Sequence, residues 1–203
     1  MLRQQCEMPC DRSESGRRRA FTDKTMQNTV DLRPMTEEDT DKIVAWRNKD
    51  FVQTNFIYQE PFTREGHLSW IRNQVEKGHV VQFIICLPDG REIGSVYFRD
   101  IDRDQGAAEY GIFIGEEEAL GHGYGTAAAR EALYYAFTKL PLRKIYLRFL
   151  AGNTAARKSY EHAGFVMTDR KETVMTKQGR REVLFMETDR ERFMAMYEAE
   201  TGQ

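Results

Sequence analysis

The residues best suited to chemistry in this chain are the glycines of Gly121-His122-Gly123-Tyr124-Gly125-Thr126. They lie between an apolar strand pattern, Glu109-Tyr110-Gly111-Ile112-Phe113-Ile114, and a helical pattern carrying Leu133, Ala136, Phe137 and Leu140. Glycines at a strand-to-helix junction let the backbone come close to a ligand. The first turn of the helix adds unpaired N–H groups and the positive end of its dipole. Together they suit a phosphate. A nucleoside-triphosphate loop requires Gly-Lys-Ser/Thr, and Gly125-Thr126-Ala127 has no lysine. A dinucleotide fold wants Gly-x-Gly-x-x-Gly and an acid about 20 residues further on. Here the third glycine comes one place early, and no Asp or Glu lies between Ala132 and Tyr160. That stretch instead holds Lys139, Arg143, Lys144, Arg148, Arg157 and Lys158. It is either a solvated basic face or a surface for a ligand with several phosphates.

The elements that must position this turn follow from hydrophobic period and turn residues. Val30 to Pro34 reads as a strand, and Thr36 with Glu37, Glu38 and Asp39 opens a helix running to about Asn48. An aromatic loop follows, with Phe51, Phe56, Tyr58 and Phe62, and Thr63 caps a second helix that stops at Gly78. Strands are expected over Val80–Leu87, Glu92–Ile101 and Ala107–Gly115. After the helix that follows the glycine turn come a strand over Lys144–Leu150 and a helix over Asn153–His162, closed by Gly164. A hairpin, Phe165–Thr176 and Arg181–Glu187, and a charged helix with Phe193 and Met196 complete the chain. This order predicts an α/β fold: a mixed, mostly antiparallel sheet of six to seven strands flanked by helices.

Composition narrows the partners. The 203 residues suffice for one domain around one core, with 40% hydrophobic residues and a formal charge of -2. Residues 30–200 form that domain, with no internal linker or repeat. No apolar run approaches the roughly 20 residues of a bilayer span. The near-neutral charge balance offers no general attraction to nucleic acid or to a membrane. Three cysteines do not make a disulfide framework, so a cytoplasmic location is expected. Cys86, within the apolar run Phe83-Ile84-Ile85-Cys86, reads as a core thiol. Cys6 and Cys10 lack a matching pair for zinc, and His67, His79, His122 and His162 show no ligand spacing, so no metal is expected. Residues 1–29 have no apolar period and read as a disordered extension. Arg17-Arg18-Arg19 is not followed by the apolar region of a secretory signal, and Met26 is an alternative start.

Leu120-Gly121-His122-Gly123-Tyr124-Gly125, followed at the right distance by Asn153, Ala156, Tyr160, Gly164 and Phe165, resembles the GNAT superfamily of N-acetyltransferases over about residues 30 to 190. Within that superfamily the chain is similar to the ribosomal-protein and amino-sugar acetyltransferase branch. Leu120 departs from the Gln or Arg usual at the head of the glycine motif. The resemblance implies acetyl-coenzyme A as co-substrate and direct transfer of its acetyl group to a primary amine. By the family pattern, the backbone of Gly121, His122, Gly123, Tyr124, Gly125 and Thr126 holds the pyrophosphate. Ile112, Phe113 and Ile114 pair with the pantetheine arm where strand four splays from strand five, and Asn153 bonds that arm. Gly111 is expected as a bulge that starts the splay. Tyr160 is implied as the acid that protonates the leaving thiolate, and Glu109 as a base that takes the ammonium proton.

The acceptor is set in this family by the first two helices, their connection and the final hairpin. Trp46, Arg47, Asn48 and Tyr58 are the candidate acceptor residues, and they point first to a nucleotide-linked amino sugar. A protein N-terminus or other peptide amine comes next, then a polyamine. Residues 46–77 carry five bases against four acids, which disfavours a polycation. A catalytically silent acyl-coenzyme A binding module is the alternative from another class. The apolar residues of the last helix, Phe193, Met194 and Met196, suggest a homodimer.

Overall fold

A computed structural model describes residues 29–202, so the expected disordered extension lies, but for its last residue, outside the described residues. Seven strands form one sheet: β1 (Asp31–Pro34), β2 (Val81–Cys86), β3 (Glu92–Asp102), β4 (Ala107–Ile114), β5 (Lys144–Leu150), β6 (Val166–Thr176) and β7 (Gly179–Asp189). Their order is β1-β2-β3-β4-β5-β7-β6. Every neighbouring pair is antiparallel except β4 and β5. The helices are α1 (Thr40–Arg47), a single turn α2 (Asp50–Gln53), α3 (Arg64–Trp70), α4 (Tyr124–Lys139), α5 (Thr154–His162) and α6 (Arg190–Thr201). The expected architecture is present. The first expected helix begins instead as a 3-10 turn over Glu37–Asp39. The second ends in a wider π turn over Ile71–Val75, and part of the aromatic loop folds as α2.

Helix α4 covers one face of the sheet. Ala128, Ala129, Ala132, Leu133 and Ala136 are completely buried, and the four alanines let the helix lie close to the strands. Phe193 of α6 is also fully buried, with its ring centroid 5.6 Å from that of Phe137. Met194 and Met196 pack on the same core. The apolar residues of the last helix therefore serve their own subunit, which removes the basis on which a homodimer was expected. Among the described residues no helix is long and apolar enough to cross a membrane.

Helices α1 and α3 cover the other face, where Ile43, Trp46, Val52 and Ile71 pack with Ile84 and Phe113. Thr63 caps α3 by accepting the Gly66 N–H at 3.1 Å. His67 is enclosed here. Its Nδ1 lies 3.1 Å from the Thr40 hydroxyl, and its Nε2 is buried without a partner. Burial pushes this imidazole down from 6.5 to about 4. Between those values the unfolded chain binds a proton that the folded chain refuses. Its contribution is therefore complete above pH 6.5 and is lost as pH falls towards 4. Urea unfolding at pH 7.5 and 4.5 should show this loss, and His67→Gln should reduce the difference between the two.

Candidate active site

The site begins where two strands part. β4 and β5 pair in parallel only from Ala107↔Lys144 to Glu109↔Tyr146. Beyond this point β4 stays with β3, while β5 continues along β7. The separation frees main-chain groups of Gly111 to Ile114 on the β5 side. Gly111 is not the expected bulge: the β3–β4 register runs unbroken through Tyr97↔Gly111, and the irregularity falls between Arg99 and Asp102. Glycine is needed there because the Tyr97 ring lies on the strand. A Cβ on Gly111 would stand 2.3 Å from Tyr97 Cζ.

The splay opens into a cleft of about 550 Å³. At the C-terminal end of β4 it is lined by Gly121, Gly123, Tyr124, Gly125 and Thr126. Gly121 and Gly123 hold φ of 78° and 77°, the left-handed region in which glycine is favoured. Gly123 is the N-cap of α4 and has no side chain to occupy the first-turn N–H groups, which remain available to an anion. The Thr126 and Ser159 hydroxyls, 3.1 Å apart, tie α4 to α5 beside this turn. Leu120 is exposed at the rim and not in the core. The His122 ring stacks on Tyr124 with centroids 5.8 Å apart, and His122 is not among the residues that line the cleft.

The acid-free basic stretch is not one phosphate surface. Lys144 pairs with Glu187 at 2.7 Å, Arg157 with Glu161 at 2.8 Å, and Arg148 with Glu109 at 3.2 Å. Arg143 lies against the β3–β4 turn, where its Nη2 donates to the Gln105 carbonyl at 3.3 Å. Of the six, Arg148 and Lys158 line the cleft, and Lys158 forms no ion pair among the described residues. Glu161 is a neighbour on α5, whereas Glu187 and Glu109 come from strands distant in sequence.

Ile112, Phe113 and Ile114 form the middle wall with Asn153 and Tyr160. Asn153 caps α5, its Oδ1 accepting the Ala156 N–H at 3.0 Å, so the cap and the cleft-lining role coexist. Tyr160 is set by edge contacts with Tyr110, Phe149 and Phe165, with centroids 6.3, 5.8 and 6.1 Å away. Burial pushes its hydroxyl well above the usual phenol range, so it stays protonated.

At the opposite end stands Glu109, only 6% exposed. Its Oε1 accepts Arg99 Nη2 at 2.6 Å and Arg148 Nε at 3.2 Å. Its Oε1 is thus shared by two guanidiniums, which makes the carboxylate a charge anchor at this end of the cleft. It is the only carboxylate lining the cleft among the described residues.

Of the four acceptor candidates, Tyr58 alone lines the cleft, and it is 63% exposed. Trp46 is a buried pillar whose indole N–H donates to Glu116 at 2.6 Å. Asn48 pins the aromatic loop from both sides: its amide donates to the Phe62 carbonyl at 2.7 Å and accepts the Phe62 N–H at 2.9 Å. Arg47 lies behind Phe56, its guanidinium carbon 3.3 Å from the ring centroid. Sequence reasoning missed Tyr97 and Arg99, and assigned Arg148 to phosphate. The available signal was a lone charge at an inward strand position, but Arg99 meets Glu109 only through the β3–β4 register. The β6–β7 turn reaches the same loop, where Lys177 N–H donates to buried Gln59 at 3.0 Å.

A family profile described as acetyltransferase (GNAT) domain matches residues 29–166. The spermidine N(1)-acetyltransferase of Escherichia coli (strain K12) is 33% identical over 143 residues, which is 68% of this chain and 73% of the relative. That of Vibrio cholerae serotype O1 is 28% identical over 142 residues, 70% of this chain and 81% of the relative. The crystal structure of Vibrio cholerae spermidine N-acetyltransferase with CoA and spermine superposes with a TM-score of 0.75 at 24% identity. The match covers 82% of this chain and 98% of that one, and at this identity it speaks for the fold.

Proposed function

Since the chain belongs to the GNAT acetyltransferase family and is an acetyl-CoA-dependent N-acetyltransferase, we propose that its acceptor is a small-molecule primary amine that also carries an anionic group, a nucleotide-linked amino sugar being the type. The observation that carries this reading is the charge of the acceptor end, where Arg99 and Arg148 line the cleft and Glu109 is already bound to both. A phosphate or carboxylate is attracted to such a wall, whereas a polycation meets repulsion. The aromatic side chains of Phe56 and Tyr58 offer stacking area for a sugar or base.

A polyamine is the second reading, and the relatives favour it over the amino sugar: the two described above are both spermidine acetyltransferases. The charge of the cleft opposes it, because no second carboxylate is present among the described lining residues to meet a second ammonium.

The residues present fit acetyl-CoA. Gly121, Gly123 and the uncapped start of α4 would hold its pyrophosphate, and the open β4 edge and Asn153 its pantetheine arm. When bound, it supplies an activated acetyl thioester. The main chain of Ile112 to Ile114 orients the carbonyl, and Tyr160 keeps a proton within the cleft for the departing sulfur.

Purified protein mixed with acetyl-CoA and a panel of amines, read by thiol release, tests the reading. Turnover is expected to be highest with nucleotide amino sugars, and added phosphate should compete with the acceptor. Preference for spermidine by tenfold or more in kcat/KM would transfer the assignment to polyamines, and peptide turnover alone would reject both. Stoichiometric acetyl-CoA binding without turnover of any amine would make the chain a silent binding module.

A further inference from the structure

Arg47 is a half-buried cation with no acidic partner among the described residues. Its guanidinium lies against Phe56, with the Phe62 and Phe113 centroids 5.1 and 5.8 Å away, and its Nη1 is buried without a hydrogen-bond partner. The titratable groups that face it are Tyr97 and Arg99 of β3, the second of them a like charge. The other charged groups near this end of α1, Lys49 and Glu116, pair with each other at 2.8 Å. From β5, Arg148 shares Glu109 with Arg99. Three guanidiniums thus meet one carboxylate around the acceptor end, whose wall includes Phe56, Phe113 and Tyr97. An unpaired buried charge is costly to maintain. The aromatic packing around Arg47 would accept an uncharged side chain of similar length.

The reaction supplies a use for this charge. An alkylammonium has a pKa near 10 and attacks only after losing its proton. The one carboxylate lining the cleft among the described residues, Glu109, already accepts from two guanidiniums through its Oε1. We propose that Arg47, which does not line the cleft and so stays unpaired when an acceptor anion meets Arg99 and Arg148, lowers the pKa of the bound acceptor ammonium, so that the amine loses its proton to water and needs no carboxylate base. In this step an N–H bond breaks, its electron pair stays on nitrogen, and the proton leaves with water. The neutral nitrogen then bonds to the acetyl carbon as the carbon–sulfur bond breaks and sulfur takes up a proton. As a general scale, a unit charge roughly 8 Å from an ammonium, at an effective dielectric constant of about 20, moves its pKa by about 1.5 pH units before screening. Arg47 acts through space as a positioning residue of the field, without touching substrate.

The inference rests on the acetyl-transfer reading and is tested on kcat at saturating acceptor, whose pH profile reports groups in the bound complex. In the unmodified protein, two acceptors whose free amines differ by about one pH unit should give acidic limbs that differ by a similar amount, because the titrating group is the amine. Arg47→Met should move the limb up by about one pH unit, leave KM for acetyl-CoA unchanged, and be reversed by Arg47→Lys. Limbs that coincide for both acceptors would overturn the proposal in favour of a protein base, and a limb that Arg47→Met leaves in place would overturn the role of Arg47. The first comparison needs no variant and can overturn the proposal even if Arg47→Met does not fold. Absence of turnover with every amine would instead reject the acetyl-transfer reading itself.

Discussion

Tyr160→Phe is expected to lower kcat about 100-fold with KM for acetyl-CoA within about twofold, the size typical of a lost proton donor. The ring packs against Tyr110, Phe149 and Phe165, and Phe keeps those contacts. Only the hydroxyl is removed. Burial keeps that hydroxyl protonated through the working range, so its service is to hold a hydrogen for the developing thiolate. Removing it should affect the transition state far more than either substrate complex. Steady-state kinetics with thiol detection measures both constants. A variant with unchanged kcat would reduce Tyr160 to a core residue of the α5 face, and a variant altered only in KM would make it a binding residue.

The second large effect concerns Glu109. Glu109→Ala should destabilise the protein by about 3 kcal/mol, because removing one partner of a buried ion pair leaves uncompensated charge. Here two guanidiniums, Arg99 and Arg148, would lose their shared carboxylate at once. Glu109→Gln should cost about half as much, since the amide oxygen can still accept one of the two hydrogen bonds. Urea unfolding midpoints give both numbers. The same variant separates two chemical roles. Were Glu109 the base, Glu109→Gln would cost about 100-fold in kcat and abolish the acidic limb. As a charge anchor, its loss makes the acceptor end more positive. The limb of Glu109→Gln should then persist and move to lower pH, opposite in sign to the shift expected for Arg47→Met.

Both expectations depend on how strands pair, and this marks the boundary of what sequence alone determines. The strand-to-helix glycine turn, the α4 core face, the Asn153 cap and the element order were all legible, because each depends on residues close in sequence. Period, turn chemistry and left-handed glycines are local properties. Together with the family pattern they identify the donor. The acceptor end was not legible. Trp46 and Asn48 carry a conspicuous sequence signature, yet one supports Gly115 and the other pins Phe62. Glu109 had the position of a base, but the β3–β4 and β4–β5 registers put two arginines on its carboxylate. The acid-free stretch after α4 suggested a phosphate surface, but Glu187 and Glu109 come from other strands to neutralise Lys144 and Arg148, and only the Arg157–Glu161 pair on α5 is local. Local geometry acts over a few residues and can be read in order. Charge compensation acts through space over several ångströms, so the tertiary fold alone decides which charges remain unpaired.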